Sequence, residues 1–440
     1  MTGSKTAPQI TIYAQEHPVG TLTFPQPQLC EFRYTETWVR TGYPISPHIS
    51  FSGEFSPQTV VRYIRNLFLE GSAFDRLLET ENLSKTNIYA ILQAIGNDTA
   101  GLLTFSPNVR DEVVPDLRHV TNDELADRLR NQKDMTYWDG KYRLSLAGVQ
   151  NKLNVFINNQ DEIFLASGVY ASTHILKFAS PKYPSIVVNE LFCMRLANAV
   201  ELPAAPVSLR KFDEFTALLV ERFDRRAKPN GVQKRHIIDG CQALDMPPEN
   251  KYEQNFGSSR DVQHIRDGVS LTKLFQFAES TSVPIQSRQH MIDWVIFNLI
   301  IGNSDAHGKN VSFYVGKRER ITFAPFYDSV SVVYEAQQEP KLDTNLAMAI
   351  GDNFDINHII AYDLLSFAQD VSVDTNYLQR RIKRLCQLVI SRAEKLDFSQ
   401  EQLNEEQTAH TTALKQLVIS RANILLKEAK LFEQVRREGF

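Results

Sequence analysis

Apolar and polar residues alternate early in the chain, at Ile10 and Ile12, Leu22 and Phe24, and Phe32 and Tyr34, which is the period of strands buried on one face. The pattern then changes. Ser56 precedes Pro57, and Val60, Val61, Ile64, Leu67 and Phe68 recur at helical spacing, predicting a helix with a serine cap and a first-turn proline. Thr121 followed three residues on by Glu124 reads as a capping box that opens a shorter helix, and a boundary is expected near Asp134 to Gly140.

From Tyr142 to Asp224 the pattern predicts strands over Leu153 to Ile157, Ile163 to Ala166 and His174 to Phe178. A helix over Val187 to Val200 follows, then strands Val207 to Phe212 and Phe215 to Val220. Beyond Asp261 the chain reads as mainly helical, interrupted by a hairpin of Val311 to Val315 and Ile321 to Ala324 around Gly316. The expected fold class is α+β, a β-rich lobe followed by a helical lobe. The expected domains are an N-terminal subdomain (1–135), a β-rich amino-lobe (136–260) and a helical carboxy-lobe (261–440). The heptapeptide QLVISRA occurs at Gln387 to Ala393 and at Gln416 to Ala422, and is read as two similar core-facing helices, since a repeat array needs more copies.

Composition narrows the classes. The chain has 440 residues, 42% of them hydrophobic, enough for two or three cores. Its 48 basic and 52 acidic residues leave a net charge of -4, so no global positive field draws it to nucleic acid or anionic lipid. Cys30, Cys193, Cys241 and Cys386 are scattered, without a C-x-x-C pair, which fits neither a disulfide framework nor a zinc site and suggests a reducing cytoplasm. The N-terminus lacks an apolar signal core, and the apolar stretch Trp294 to Ile301 is short, so neither export nor a membrane span is expected.

The most informative stretch is Gly302-Asn303-Ser304-Asp305-Ala306-His307-Gly308-Lys309-Asn310, between an apolar helix and a strand. In protein kinases an aspartate and an asparagine separated by four residues form the catalytic loop: the aspartate accepts the substrate hydroxyl proton and the asparagine holds magnesium. Asp305 and Asn310 have that spacing, and the following hairpin leads to Asp328 as the second metal-binding carboxylate. The other parts of such a site occur upstream in order. Lys177 ends a strand, Glu190 stands near the start of the next helix, and Glu221-Arg222-Phe223-Asp224 forms a linker that can meet adenine. Ser145 to Lys152, with Gly148, forms a loop before the lysine strand, although it has one glycine where G-x-G-x-x-G has three. Each part has a plain alternative: an edge-strand lysine, a helix-start carboxylate, a turn glycine. Their common order favours ATP-dependent phosphoryl transfer. A metal-dependent hydrolase built on Asp305, His307 and Asp328 is the rival, but no further histidine is spaced to complete it. Ser145 lacks the G-x-S-x-G elbow of a hydrolase nucleophile.

At Leu144 to Lys152, His174 to Lys177, Asn189-Glu190, Val220 to Arg225, Gly302 to Asn310 and Pro325 to Asp328 the sequence resembles the HipA family of serine/threonine-protein kinase toxins, over nearly its whole length. Gly20-Thr21-Leu22 and Phe68 to Gly71 resemble the small subdomain that such proteins place on the kinase amino-lobe. The resemblance implies a toxin restrained by a DNA-binding helix-turn-helix antitoxin of the HipB type, and a glutamate-charging tRNA synthetase as target. It makes Ser145 the autophosphorylated serine that ejects the phosphate loop. Ala147, Gly148, Val149, Gln150, Asn151 and Lys152 correspond to the nucleotide loop, Lys177 to the ATP lysine, and Glu221, Arg222 and Phe223 to the adenine contact. His307, Gly308, Lys309 and Asn310 correspond to nucleotide contacts of the catalytic loop, and Tyr327 and Asp328 to the magnesium end of the site. ATP and Mg2+ are the implied cofactors. The chain departs from relatives at Asp352 to Asn357, which is acidic where they can carry basic residues toward DNA phosphates. Operator DNA is therefore expected to be met mainly through the antitoxin, and Arg380-Arg381-Lys383-Arg384 is read as a solvated helix face. A co-repressor with secondary kinase activity and a small-molecule kinase remain the alternatives.

Overall fold

The computed structural model describes residues 7–96, 98–106, 117–142, 151–166, 170–229, 231–318 and 320–439, with the backbone alone at 141 and 142. The early alternation becomes a four-stranded antiparallel sheet, ordered Leu29–Tyr34, His17–Gln26, Gln9–Ala14, Leu103–Ser106. Ile10, Ile12, Leu22, Phe24 and Phe32 are buried in it. Helix Pro57–Arg65 begins where the serine cap predicts, with Ser56 Oγ accepting from the Thr59 amide at 3.1 Å.

A second, six-stranded sheet runs Val207–Phe212, Phe215–Glu221, His174–Phe178, Lys152–Ile157, Ile163–Ala166, Leu117–Val120. Its last strand lies in sequence before the expected boundary. Leu117–Val120 pairs with Ile163–Ala166, and helix Asn122–Arg130 packs with Trp138 against Leu153, Val155, Leu165 and Leu176. The change of sheet thus falls between Ser106 and Leu117, and not at 135/136. Four residues with one large apolar side chain per face are too few to show a period. The capping box at Thr121 is also half formed. Thr121 accepts from the Glu124 amide, whereas the Glu124 carboxylate turns to Arg118 at 2.6 and 2.9 Å.

The opposite face of this sheet meets helix Ile186–Ala199, buried on nearly every side because helices Thr375–Ala393 and Glu405–Lys430 cover it from beyond. Those two helices carry the repeated heptapeptide, and they pack on each other. Val389 and Ala393 in one, Val418 and Ala422 in the other, are buried at equivalent positions, so the repetition is that of two core-facing helices. The carboxy-terminal half is mainly helical and is organised round helix Pro284–Ile301, which is buried on every side from Met291 onward. A three-stranded sheet of Ile237–Asp239, Ser312–Gly316 and Arg320–Phe323 lies against it. Ile237–Asp239 was expected in the amino-lobe. Its partner strand begins 73 residues beyond Asp239, at Ser312, a pairing that no local pattern announces.

The N-terminal subdomain reaches past the amino-lobe on which it was expected. Arg62 and Thr59 bind Asp245, His48 Nε2 donates to the Ala243 carbonyl, and Asn66 Nδ2 donates to the Met246 carbonyl. It therefore braces the carboxy-terminal half around the cleft. All four cysteines are buried and unbridged. No helix among the described residues is long and apolar enough to cross a membrane.

Candidate active site

Helix Pro284–Ile301 ends at Gly302, whose φ of 72° suits glycine and where a Cβ would sit 2.9 Å from Val333. The chain then folds back on itself. The Asp305 carbonyl accepts from the His307 amide at 2.8 Å and from Asn310 Nδ2 at 3.3 Å, so the four-residue spacing closes one compact loop. Gly308 presses against Val269 with no room for a side chain, and its amide donates to the Lys251 carbonyl at 2.9 Å. The run 301–310 is buried except at Asp305, whose carboxylate reaches the cleft and accepts from the Tyr252 hydroxyl at 2.7 Å.

Across the cleft, Lys177 stands directly opposite Lys152 in the antiparallel pair of strands, so the two ammonium groups share one face. Lys177 Nζ binds Glu190 Oε1 at 2.6 Å and also binds Asp328 Oδ1. Burial works against the charge of Lys177, but Asp328 and Glu190 hold its pKa above the ordinary lysine value. Lys152 is less compensated: burial and neighbouring Lys177 lower it to about 8, with Asp328 opposing the fall. Burial also disfavours the ionised Asp328 carboxyl, yet Lys177 and Lys152 bring it down to about 2. Glu190 is placed by a bolt behind it. Asn189 on the same helix accepts from the Ser331 amide and donates to the Ser331 carbonyl and to buried Glu335.

The space between these groups is a cleft of about 970 Å³, lined among others by Lys177, Glu190, Phe223, Asp305, Asn310 and Asp328. Sequence reading placed all six in one site, and they do converge. Asn151, Lys152, Glu221, Arg222, His307, Lys309 and Tyr327 also border the cleft. Ser145, Ala147, Gly148, Val149 and Gln150 lie outside the described residues. Two expected nucleotide contacts point elsewhere. The Lys309 ammonium is taken by the Asn66 carbonyl at 2.7 Å and by Asp239 at 2.8 Å, tying the catalytic loop to the N-terminal subdomain. The Arg222 guanidinium is buried against Asp224, Ser172 and the Thr99 carbonyl, leaving its backbone for the cleft. Gly308 is held by packing on Val269. The Tyr327 hydroxyl donates to the Lys309 carbonyl at 2.5 Å, and its ring lies 5.4 Å from Phe223. Arg381 is not solvated either: it binds buried Asp293 at 2.6 and 3.0 Å.

Sequence reading missed Tyr252, Glu70 and Asn66. They touch the loop from far along the chain, and no local pattern, the Phe68 to Gly71 resemblance included, joins them to it. As for the rival metal-hydrolase reading, no group of three or more His, Cys, Asp or Glu able to hold a metal occurs among the described residues.

The linker into the cleft is anchored by buried charge. Arg222 and Arg225 share Asp224 and Asp98, and the Gly101 amide donates to Asp224 at 2.7 Å. Burial raises the Asp224 carboxyl, but the two guanidinium groups outweigh it and set it at about 2. Its unfolded value is near 3.9. A depressed carboxylate adds stability that is complete above the unfolded value and is lost as pH falls through the folded one. Asp224→Asn should therefore lower the unfolding free energy by about 3 kcal/mol at neutral pH, because it strips one partner from buried charges. In urea titrations the gap from the parent should narrow between about pH 4 and pH 2. A gap independent of pH there would refute the assignment.

A model described as the HipA-like C-terminal domain matches residues 144–394, and one described as the HipA N-terminal domain matches residues 10–106. The chain belongs to the HipA family. It is 39% identical over 395 residues to the serine/threonine-protein kinase toxin HipA of Shewanella oneidensis, covering 88% of this chain and 89% of that protein. The solved structure of the Shewanella oneidensis MR-1 toxin–antitoxin system, HipA with HipB and operator DNA, superposes with a TM-score of 0.86 at 36% identity. That match covers 97% of this chain and 99% of the other. The two-lobed architecture is thus that of HipA, and the chain is a serine/threonine-protein kinase. The HipA N-terminal match ends at 106, where the structure changes sheet.

Proposed function

We propose that this HipA-family kinase is the toxin of a two-gene module, transferring the γ-phosphate of ATP to a protein serine or threonine. The observation that supports it is the convergence of the Lys177–Glu190 pair, Asp328, Asn310 and Asp305 on one cleft between a β-rich and a helical half. In this reading the backbone of Glu221 to Phe223 receives adenine, and Lys177 and Lys152 bind phosphate oxygens. Glu190 keeps Lys177 in place, and Asp305 takes the proton of the attacking hydroxyl. The ionised Asp328 carboxylate and the Asn310 amide are hard oxygen donors suited to Mg2+, which when bound neutralises charge on the phosphates. Ala147 to Lys152 cover the phosphates, and Ser145 is the site of self-phosphorylation.

The partner in this reading is a HipB-type helix-turn-helix antitoxin in the cytoplasm, through which operator DNA is met. The substrate is an aminoacyl-tRNA synthetase, of the glutamate-charging kind. Kinase and co-repressor roles coexist on one chain. Incubating the purified protein with γ-labelled ATP, Mg2+ and a cell extract, then identifying labelled proteins, tests it. A labelled synthetase is expected, together with label on Ser145 that is absent from Ser145→Ala. Label confined to small molecules would refute the protein-kinase assignment.

A further inference from the structure

Asp305 is an exposed carboxylate on an otherwise buried loop, so without a tether its oxygens would rotate in solvent. The tether is the Tyr252 hydroxyl, which donates to Asp305 Oδ1 at 2.7 Å. We propose that Tyr252 is a positioning residue for the transfer step, fixing one Asp305 oxygen so that the other is presented to the substrate hydroxyl. The inference rests on the reading of Asp305 as the base.

Tyr252 is itself held rigidly. On one side the Lys251 carbonyl accepts from the Gly308 amide at 2.9 Å. On the other the Glu253 amide donates to the Ala347 carbonyl at 2.9 Å, and the Ala347 amide donates back to the Ser304 carbonyl at 2.8 Å. Three backbone bonds thus lock this tyrosine to the residues on both sides of Asp305. The buried Glu253 carboxylate adds Arg266 at 2.7 Å and the Ala349 amide at 2.8 Å. Gly268 closes over the Tyr252 carbonyl so tightly that a Cβ would lie 1.8 Å from its oxygen. The phenol ring meets His307 edge-on, 5.2 Å between centroids and 87° between planes. Burial first, and the Asp305 charge second, push the phenol above its ordinary pKa, so it remains a proton donor to the carboxylate. Such preorganisation lowers a barrier by removing rotational freedom before the reaction begins.

Tyr252→Phe keeps the ring and removes the oxygen. Transfer from γ-labelled ATP to casein and to the chain itself should show kcat lower by roughly ten- to a hundredfold, the range for one hydrogen bond to a charged group. KM for ATP should stay within about twofold, since no nucleotide contact is altered. An unchanged kcat overturns the inference, and so does a fall in kcat matched by an equal rise in KM for ATP, which a merely structural tyrosine that shapes the cleft would give. Asp305→Asn, run in parallel, separates the two readings. If it transfers at the parental rate, the base assignment fails and takes this inference with it. If it is inactive while Tyr252→Phe matches the parent, only the role of Tyr252 is refuted.

Discussion

Asp305→Asn should reduce phosphoryl transfer by about a thousandfold while leaving nucleotide affinity within a fewfold of the parent. The expectation follows from what the side chain touches. Among the described residues Asp305 pairs with no lysine, and its carboxylate has one hydrogen-bond partner, the Tyr252 hydroxyl. An amide of the same shape can keep that hydrogen bond but cannot accept a proton, and positioned acid–base groups contribute about 10²–10⁴-fold. Binding should persist because the cations of the cleft, Lys177 and Lys152, lie on the opposite sheet and keep their own partners. Incorporation of labelled phosphate and calorimetric titration with ATP and Mg2+ report the two quantities separately. Full-rate labelling by the variant would remove Asp305 from the chemistry.

Lys177→Met should be the most damaging change to fold and activity together. Lys177 and Glu190 are both buried, and the variant leaves the Glu190 carboxylate without its cation. Stripping one partner from a buried pair costs about 3–5 kcal/mol. The double variant Lys177→Met, Glu190→Leu should recover much of that stability, since an apolar pair of similar volume replaces both charges, yet transfer should stay absent in both. Chemical unfolding of the parent, the two single variants and the double variant measures the coupling. A double variant no more stable than Lys177→Met would show that the pair is not the source of the loss. Activity restored in the double variant would show that Lys177 does not serve the phosphates.

Much of this architecture was legible from local patterns. The alternation at Ile10, Ile12, Leu22 and Phe24 foretold a sheet buried on one face, and the run Val187 to Val200 foretold the helix that carries Glu190. Leu117–Val120 was not legible, because its pairing with Ile163–Ala166 is supplied by a partner over 40 residues away. Lys309 illustrates a different limit. A lysine beside an asparagine in a catalytic loop reads as a phosphate contact, yet an ammonium goes to the nearest fixed acceptors, here the Asn66 carbonyl at the end of a helix and Asp239. Arg222 and Arg381 follow the same rule, turned inward by buried Asp224 and buried Asp293; the first partner is two residues along the chain and the second is 88 positions away.

Local spacing was sufficient wherever the geometry is local. The six residues from Asp305 to Asn310 close a single loop through one amide and one carbonyl, and Ser56 reaches the Thr59 amide within one helical turn. The order of lysine strand, glutamate helix, linker and loop likewise needs only the chain itself. Tertiary packing decided the rest: that Tyr252 meets Asp305 across 53 positions, that the N-terminal subdomain grips the catalytic loop through Lys309, and that Lys177 sits between Glu190 and Asp328. These contacts depend on how whole elements are stacked by buried apolar surface. Hydrogen bonds and ion pairs then select among the side chains which that stacking has brought within reach.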